Sequence, residues 1–442
     1  MNPRPDLTDV LEARDSSPAR DAPLRSTAAR PLRIVLVSQE YPPQTARGGI
    51  GSQTHVKAHG LAARGHEVVV LSQSIDDRRH EYSDDLVRVI RIPVINADAP
   101  MATEIAQWLT YSSQVAAELD RLCRSARQDV IDFPEWACEG YVHLLNRTER
   151  NYVPVAVHLH GPLVMFAHTM HWPELDSEFY RIGTHMEQTC LRLADAVFSS
   201  SHCSARWCSE YYGARRENIP RLHTGVDTGL FRPKPIAAST PPTIMFVGKI
   251  TRNKGVKILL EAACRLIEQF PTLRLVIIGQ GEREVVAELR AMARHNAVED
   301  MLELRGYIHR DELPSHLTEA YVFAAPSMYE GGPGLVYLEA MACGLPVVAC
   351  SGSGASEVVD NGQNGFLVAP HDVEALTGVL RRLLADNELR EQMGARARRF
   401  VVAEGDSRVC LDRLESFYRH VAAGQRKATG TQVEAESALE AS

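Results

Sequence analysis

Short apolar segments alternate with helical segments along this chain, in two series separated by a proline-rich break. The apolar segments lie at residues 32–37, 68–71, 129–131, 153–157 and 196–198 in the first series, and at 244–247, 273–278, 321–324 and 346–349 in the second. Short apolar runs between helical segments are typical of buried strands in a parallel sheet. The sequence therefore predicts an α/β protein with two doubly wound, Rossmann-like domains that face a cleft.

Composition places the boundaries of these domains. A chain of 442 residues is too long for one ordinary core. Residues 1–31 are rich in Pro, Arg and Asp without apolar periodicity, which predicts a disordered leader. Four prolines between residues 232 and 242 indicate a linker. The predicted order is a leader at 1–31, a first domain at 32–235, a linker at 236–242, a second domain at 243–405, a helix at 406–424 and a disordered tail at 425–442.

Charge and cysteine content exclude several classes of protein. A net charge of −8 argues against a general nucleic-acid binder. The nine cysteines contain no C-x-x-C pair, which favours free thiols in a reducing compartment. The amino terminus lacks an apolar signal segment, and no stretch has the ~18–20 apolar residues of a membrane span. We expect a cytoplasmic protein, and leave a peripheral membrane contact and the oligomeric state open.

A glycine-rich loop at 331–334 lies between a predicted strand and a predicted helix. The backbone amides near Gly334, Leu335 and Val336 would open that helix without intrahelical partners. Together with the helix dipole they are suited to bind an anion, and the glycines let a phosphate approach the backbone. The sequence therefore predicts a phosphate site at this helix.

Two glutamates flank the predicted phosphate site. Glu339 lies on a helix that is otherwise apolar nearly all round, so we expect it to be buried and to accept hydrogen bonds from the vicinal hydroxyls of a ribose. Glu330 precedes the amides and would accept hydrogen bonds from sugar hydroxyls. Two alternatives without a ligand stay open. Glu339 would lie on a solvated face of its helix, and Glu330 would only interact favourably with the positive amino end of that helix.

Basic residues follow the strand at 244–247, at the same edge of the predicted sheet. Lys249 and Lys254, with Arg252 as a third cation, would stabilise the charge that a departing nucleoside diphosphate gathers. The chain has no Asp-x-Asp metal clamp, so we predict no metal and assign that role to the lysines. A solvated basic turn is the alternative for this segment.

These motifs together resemble the retaining GT-B glycosyltransferases of family four, over roughly residues 33 to 405. The segments that carry the resemblance are 34–43 with 48–51, 61–68, 224–227 with 231–233, 248–255, 305–308, 326–349, and 357–360 with 364–368. The resemblance implies a GT-B fold whose first domain binds acceptor, whose second domain binds a nucleotide-sugar, and whose carboxy-terminal helix crosses back to the first domain. It also implies transfer with retention of anomeric configuration and without a metal.

The resemblance assigns roles to particular residues. Lys249 and Lys254 would hold the donor diphosphate, Glu330 the transferred sugar and Glu339 the ribose. His160, at the end of a first-domain strand, would lie near the anomeric centre. The loop from Gly48 through Gly49 to Gly51 would lie against the phosphates or the acceptor. This chain departs from the family in having eight residues rather than seven between its two glutamates, Lys249 where Arg is commoner, and Thr224 where Asn is common.

Two further residues of the first domain are candidates for the acceptor side. Phe166 belongs to an aromatic and apolar segment at 166–173, which would line an acceptor pocket, touch a lipid or form a satellite core contact. Glu135 is the second. His158, His160, His168 and His171 lack suitable carboxylate spacing, so we predict no zinc site among them.

The sequence thus predicts a glycosyltransferase that moves a hexose from a nucleotide diphosphate sugar, with a UDP- or GDP-sugar as co-substrate and no other cofactor. The acceptor is left open between a glycan, a lipid and a small molecule. Two alternatives stay open: another GT-B enzyme, such as a glycoside phosphorylase or a sugar-nucleotide epimerase, and a non-catalytic nucleotide-sugar-binding protein.

Overall fold

The computed structural model describes residues 30–45, 49–93, 103–234 and 240–439, with side chains described as far as residue 424. The predicted leader at 1–31 lies almost wholly outside these residues, as does most of the predicted linker at 236–242. Their boundaries therefore stay predictions.

Seven strands form the first sheet, in the order β3-β4-β2-β1-β5-β6-β7. The strands are β1 (Arg33–Val37), β2 (Glu67–Gln73), β3 (His80–Asp84), β4 (Val87–Ile92), β5 (Val130–Pro134), β6 (Val155–Leu159) and β7 (Ala196–Ser199). The helices around them are α1 (Gly49–Ala62), α2 (Glu104–Ser125), α3 (Tyr141–Leu145), α4 (Leu163–Met170), α5 (Glu178–Leu193) and α6 (His202–Tyr212), with 3₁₀ turns at Trp136–Cys138 and Arg216–Asn218. All pairings are parallel except that of β3 with β4, which is antiparallel at the edge.

Six strands form the second sheet, all parallel, in the order β10-β9-β8-β11-β12-β13. The strands are β8 (Thr243–Val247), β9 (Arg274–Ile278), β10 (Leu302–Gly306), β11 (Val322–Ala325), β12 (Val347–Cys350) and β13 (Gly365–Val368). The helices are α7 (Val256–Cys264), α8 (Arg283–His295), α9 (Leu313–Leu317), α10 (Leu335–Ala342), α11 (Val373–Ala385), α12 (Asn387–Phe400) and α13 (Ser407–Leu439), with short turns at Arg252–Lys254, Glu299–Met301, Gly354–Glu357 and Val401–Gly405. The prediction of two doubly wound domains is confirmed.

The helix α13 leaves the second sheet and packs on the first. Its residues Leu411, Leu414 and Tyr418 are buried in the same cluster as Ile34 and Leu61 of the first domain. A Cβ atom at Gly60 of α1 would lie 2.3 Å from a methyl group of Leu411, so the two helices touch directly. The last helix therefore ties the end of the chain to the first core.

The helix α13 is separated from the turn at Val401–Gly405 by Asp406. This residue is extended, and its carboxylate accepts the N–H of Arg408 at 2.9 Å near the start of α13. The predicted disordered tail at 425–442 begins where the description of side chains ends, so it stays a prediction.

None of the helices that the structure describes is long and apolar enough to cross a membrane.

Candidate functional site

The loops that follow β8 and β11 pack against each other at the carboxyl edge of the second sheet. The two strands are hydrogen-bonded neighbours. The backbone N–H of Met328 donates to the carbonyl oxygen of Asn253 at 2.9 Å. Gly255 has a φ of 72°, and a Cβ atom there would lie 2.1 Å from the carbonyl oxygen of Pro326, so this approach requires glycine. The basic segment and the glycine-rich segment therefore form one surface.

Lys254 and Glu330 form an ion pair on this surface. The Lys254 ammonium lies 2.6 Å from Glu330 Oε1, and the two side chains are 24% and 16% exposed. Lys249, two residues after the end of β8, is exposed.

Arg252 has a different position from the other two cations. Its guanidinium pairs with Glu288 on α8, and its side chain is 70% exposed. The structure therefore does not bring Arg252 together with Lys254 and Glu330, although the sequence predicts all three in one site.

The helix α10 begins beside this ion pair. Gly334 precedes its first residue, Leu335, and both Leu335 and Val336 are half-buried. The Tyr337 hydroxyl donates to the carbonyl oxygen of Ala325 at the end of β11, which anchors the first turn to the sheet. The amides of that first turn have no partner four residues earlier in the helix. The positive end of α10 thus lies next to Lys254 and Glu330.

Glu339 is buried on α10, as the sequence predicts, and its partner is Arg310. The side chain is 5% exposed, and Oε1 lies 2.8 Å from the Arg310 guanidinium. Burial raises the pKa of the Glu339 carboxyl, and the Arg310 charge opposes that rise. Arg310 also lies 5.7 Å from the ring centroid of Phe231. Arg310 was not predicted as a site residue, because it lies beyond the segment at 305–308 and belongs to no recognised sequence pattern.

His160 lies directly after β6, in the first domain. The residue is half-buried, its Nδ1 is buried without a hydrogen-bond partner among the described residues, and burial with the nearby Lys57 charge lowers the pKa of the imidazole to about 3. The imidazole is therefore neutral at physiological pH. The neighbouring backbone is held by Glu135, whose Oε1 accepts the N–H groups of His160, at 2.7 Å, and of Gly161. Glu135 is 1% exposed, so it positions this turn rather than facing an acceptor.

The turn at His160 touches the glycine-rich loop of the second domain. A Cβ atom at Gly331 would lie 1.9 Å from the carbonyl oxygen of His160. The hydroxyls of Ser201 and Ser204 both donate to the carbonyl oxygen of Gly331. Tyr329 is buried here, and its hydroxyl has no hydrogen-bond partner in the described part of the chain. The turn at His160 and the loop that follows Glu330 are therefore in direct contact.

A buried polar network lies behind His160. The Lys57 ammonium pairs with Asp132 and lies 3.3 Å from His158 Nδ1, and His158 Nε2 lies 2.8 Å from the Ser200 hydroxyl. The Tyr418 hydroxyl of α13 also donates to Asp132. Lys57 and Asp132 are 5% and 3% exposed. Neither residue was predicted from sequence, because a single Lys on α1 and a single Asp on β5 carry no local signal.

The remaining predicted residues are more scattered. Gly48 lies outside the described residues, Gly49 is exposed at the start of α1, and Gly51 is buried against the backbone of Glu40. Phe166 packs in an aromatic cluster, 4.2 Å from the ring of Tyr329 and 4.9 Å from that of Trp136. Phe166 is thus part of a packed cluster that reaches the glycine-rich loop.

Both halves of the chain match known families. The profile of the family described as glycosyl transferases group 1 matches residues 227–400, and that of the glycosyl transferase 4-like domain matches residues 48–225. The chain is 28% identical over 416 residues to a glycogen synthase of Mycobacterium tuberculosis, with 90% of this chain and 96% of the relative covered.

Two further similarities cover nearly the same span. A GDP-mannose-dependent alpha-(1-6)-phosphatidylinositol monomannoside mannosyltransferase of Mycobacterium tuberculosis is 28% identical over 417 residues, with 88% of this chain and 98% of the relative covered. The crystal structure of Anabaena HepE in complex with UDP and glucose superposes with a TM-score of 0.68 at 20% identity, covering 88% of this chain and 100% of that one.

Proposed function

The chain belongs to the glycosyl transferases group 1 and is an enzyme with the GT-B fold, and from that premise we propose that it is a retaining, metal-independent hexosyltransferase with a nucleotide diphosphate sugar as donor. Its acceptor is a hydroxyl of a glycan, a lipid or a small molecule.

The observation that carries the proposal is the ion pair between Lys254 and Glu330 at the amino end of α10. A diphosphate bound there takes the place of Glu330 on the Lys254 ammonium, with Lys249 as the second cation, and accepts hydrogen bonds from the amides of Gly334, Leu335 and Val336. Glu330 is then released to accept hydrogen bonds from the sugar. Fixed cations stabilise the leaving diphosphate most when its charge develops, which lowers the barrier to transfer.

The ribose end of the donor is assigned to Glu339. The Glu339 carboxylate is 5% exposed and has one cationic partner, so its oxygens can still accept further hydrogen bonds. The two vicinal hydroxyls of a ribose are suited to donate them. Arg310 holds the carboxylate in place. The similar proteins support more than one base, since one is named as GDP-mannose-dependent and another is a crystal structure in complex with UDP.

The sugar lies between Glu330 and His160 in this proposal. The neutral His160 ring has a buried Nδ1 without a described partner, which is suited to accept a hydrogen bond from a sugar hydroxyl. The bond from the anomeric carbon to the diphosphate breaks, the acceptor oxygen bonds to the same face, and its proton passes to the departing diphosphate. Gly49 is assigned to the donor, and Gly51 and Phe166 are assigned to the acceptor side.

The test is a calorimetric and kinetic comparison of two lysine variants with UDP-, GDP- and ADP-sugars. Lys254→Met removes the cation that contacts Glu330, and we expect the donor Kd to rise about 10- to 100-fold, the effect of losing one strong charge-assisted contact. Lys257→Met, which removes an exposed charge in the first turn of α7, is the matched control and is expected to bind normally. Arg252→Met is also expected to bind normally, because its side chain pairs with Glu288.

Turnover separates the alternatives. The proposal requires transfer in the presence of EDTA, with a product whose anomeric configuration, read by NMR, equals that of the donor. Phosphorolysis of a glycoside without nucleotide would instead identify a phosphorylase, and donor binding with no turnover of any acceptor would identify a binding protein. Equal donor affinity of Lys254→Met and Lys257→Met would contradict the site itself.

A further inference from the structure

Two histidines and an aspartate meet where α1 packs beside the end of β3. His55 and His59 are four residues apart on α1, so they project from the same face of the helix. His59 Nε2 lies 3.0 Å from Asp84 Oδ2, and His55 Nε2 lies 3.9 Å from the same oxygen. Three ligand atoms of these residues lie within 4.8 Å of one another.

These separations match the ligand spacing of a tetrahedral zinc site. Bonds of ~2.0–2.1 Å at tetrahedral angles place neighbouring ligand atoms about 3.3 Å apart, between the two observed distances. The pattern of two histidines at i and i+4 on a helix is itself a recurring zinc-binding arrangement. Small side-chain rotations therefore suffice to bring all three ligand atoms onto one ion.

The surroundings orient the ligands. Tyr41 is fully buried, and its hydroxyl donates to Asp84 Oδ2 at 2.7 Å. Asp85 Oδ2 lies 3.9 Å from His59 Nδ1, the ring nitrogen that faces away from Asp84. Ligating histidines and carboxylates commonly have such outer partners, which fix their orientation.

We propose that His55, His59 and Asp84 form a binding site for a divalent zinc-class cation, with water in the fourth position. Two imidazoles and one carboxylate are a donor set that Zn²⁺ prefers to Mg²⁺ or Ca²⁺. The ion joins α1 to the antiparallel edge of the first sheet and thereby fixes the helix that begins at Gly49. Its ligands are not the residues assigned to the diphosphate, so its role is structural and the transfer step stays metal-free.

The test is titration of EDTA-stripped, dialysed protein with ZnCl₂ by calorimetry, together with thermal unfolding with and without ZnCl₂. We expect Zn²⁺ binding that His59→Ala weakens by about 100-fold or more, since even outer-shell changes cost 10- to 100-fold. ZnCl₂ is expected to raise the unfolding midpoint of the wild type but not of the variant. MgCl₂ in place of ZnCl₂ is expected to give no such shift.

The matched control is His80→Ala. His80 begins β3, the strand that Asp84 ends, and it pairs with exposed Asp76 at 2.9 Å without belonging to the proposed site. We expect its Zn²⁺ affinity to equal that of the wild type. Asp84→Asn, which keeps the acceptor for Tyr41 but loses the charge, is the second ligand variant if His59→Ala does not fold. Zn²⁺ binding that both ligand variants retain, or no binding by the wild type, would overturn the proposal.

Discussion

Replacement of Glu339 by alanine is expected to remove most of the donor affinity. Each hydrogen bond to an ionised group contributes about 1.5–3 kcal/mol. Loss of two bonds from the ribose hydroxyls therefore costs roughly 3 kcal/mol or more, which is over about 100-fold in Kd. Glu339→Gln keeps one acceptor oxygen and is expected to lose about tenfold. Calorimetry with the nucleoside diphosphate alone measures this effect without turnover.

The same assay has a pH dependence with a definite sign. Burial raises the pKa of Glu339, so the carboxylate takes up a proton at higher pH than an exposed glutamate does. Donor affinity is therefore expected to be full above that raised pKa and to fall as the pH decreases through it. Arg310→Met removes the charge that opposes the rise, and is expected to move the loss of affinity to higher pH.

The control is Glu319→Gln. Glu319 pairs with Arg305, its side chain is 40% exposed, and its replacement is expected to leave the donor Kd unchanged. The ribose assignment would be refuted by a Glu339→Ala variant that binds the nucleotide with wild-type affinity while remaining folded in circular dichroism.

Three further outcomes concern buried groups and close contacts and are measured by urea unfolding. Lys57→Met leaves Asp132 buried without its cation and is expected to cost about 3–5 kcal/mol, whereas combining it with Asp132→Leu should restore most of the loss. Gly331→Ala places a Cβ atom 1.9 Å from the His160 carbonyl oxygen and is expected to lower the free energy of unfolding by about 1–3 kcal/mol. Gly378→Ala is the control, because its Cβ atom would lie in open space on α11, where alanine favours helix. It should raise the free energy of unfolding by about 0.5–1 kcal/mol. Burial raises the pKa of the Glu135 carboxyl to about 7, so the folded protein loses stability as the pH rises from the unfolded-state pKa of about 4.5 through 7. Glu135→Gln does not titrate, and its free energy of unfolding should therefore gain roughly 3 kcal/mol on that of the wild type over this window. Parallel pH profiles of the two proteins would contradict this.

The anion site of the second domain could be predicted from sequence because its residues lie in contiguous segments. The basic turn after β8 and the loop before α10 each span one strand, one loop and one helix start, so their residue types and spacing already predict an anion site. Glu339 was expected to be buried because its helix has hardly any polar face, and it is buried. Local pattern is sufficient where the chemistry is local.

Contacts between remote segments were not predictable in this way. Arg310 meets Glu339 from a loop between β10 and α9, and the chain between them shows no pattern that pairs the two. The strand β3 was missed because its sequence, HEYSD, has no apolar run, and as an antiparallel edge strand it needs none. Arg252 was placed with the other cations because they share a turn, and only the position of Glu288 on α8 draws it away.

The two domains contribute to the site in different ways, and α13 connects those contributions. In the proposed reaction, the second domain supplies the charges and amides that bind the donor, whereas the first supplies His160, whose position depends on buried groups. Its backbone is held by Glu135, and its ring centroid lies 3.8 Å from that of His158, which contacts the Lys57–Asp132 pair. Because Tyr418 also donates to Asp132, the helix that ends the chain is part of the support beneath His160. In this proposal, a change in the packing of α13 therefore changes the support of His160. Tyr418→Phe loses only the hydroxyl that donates to Asp132, and it should lower the rate of transfer while leaving donor affinity intact.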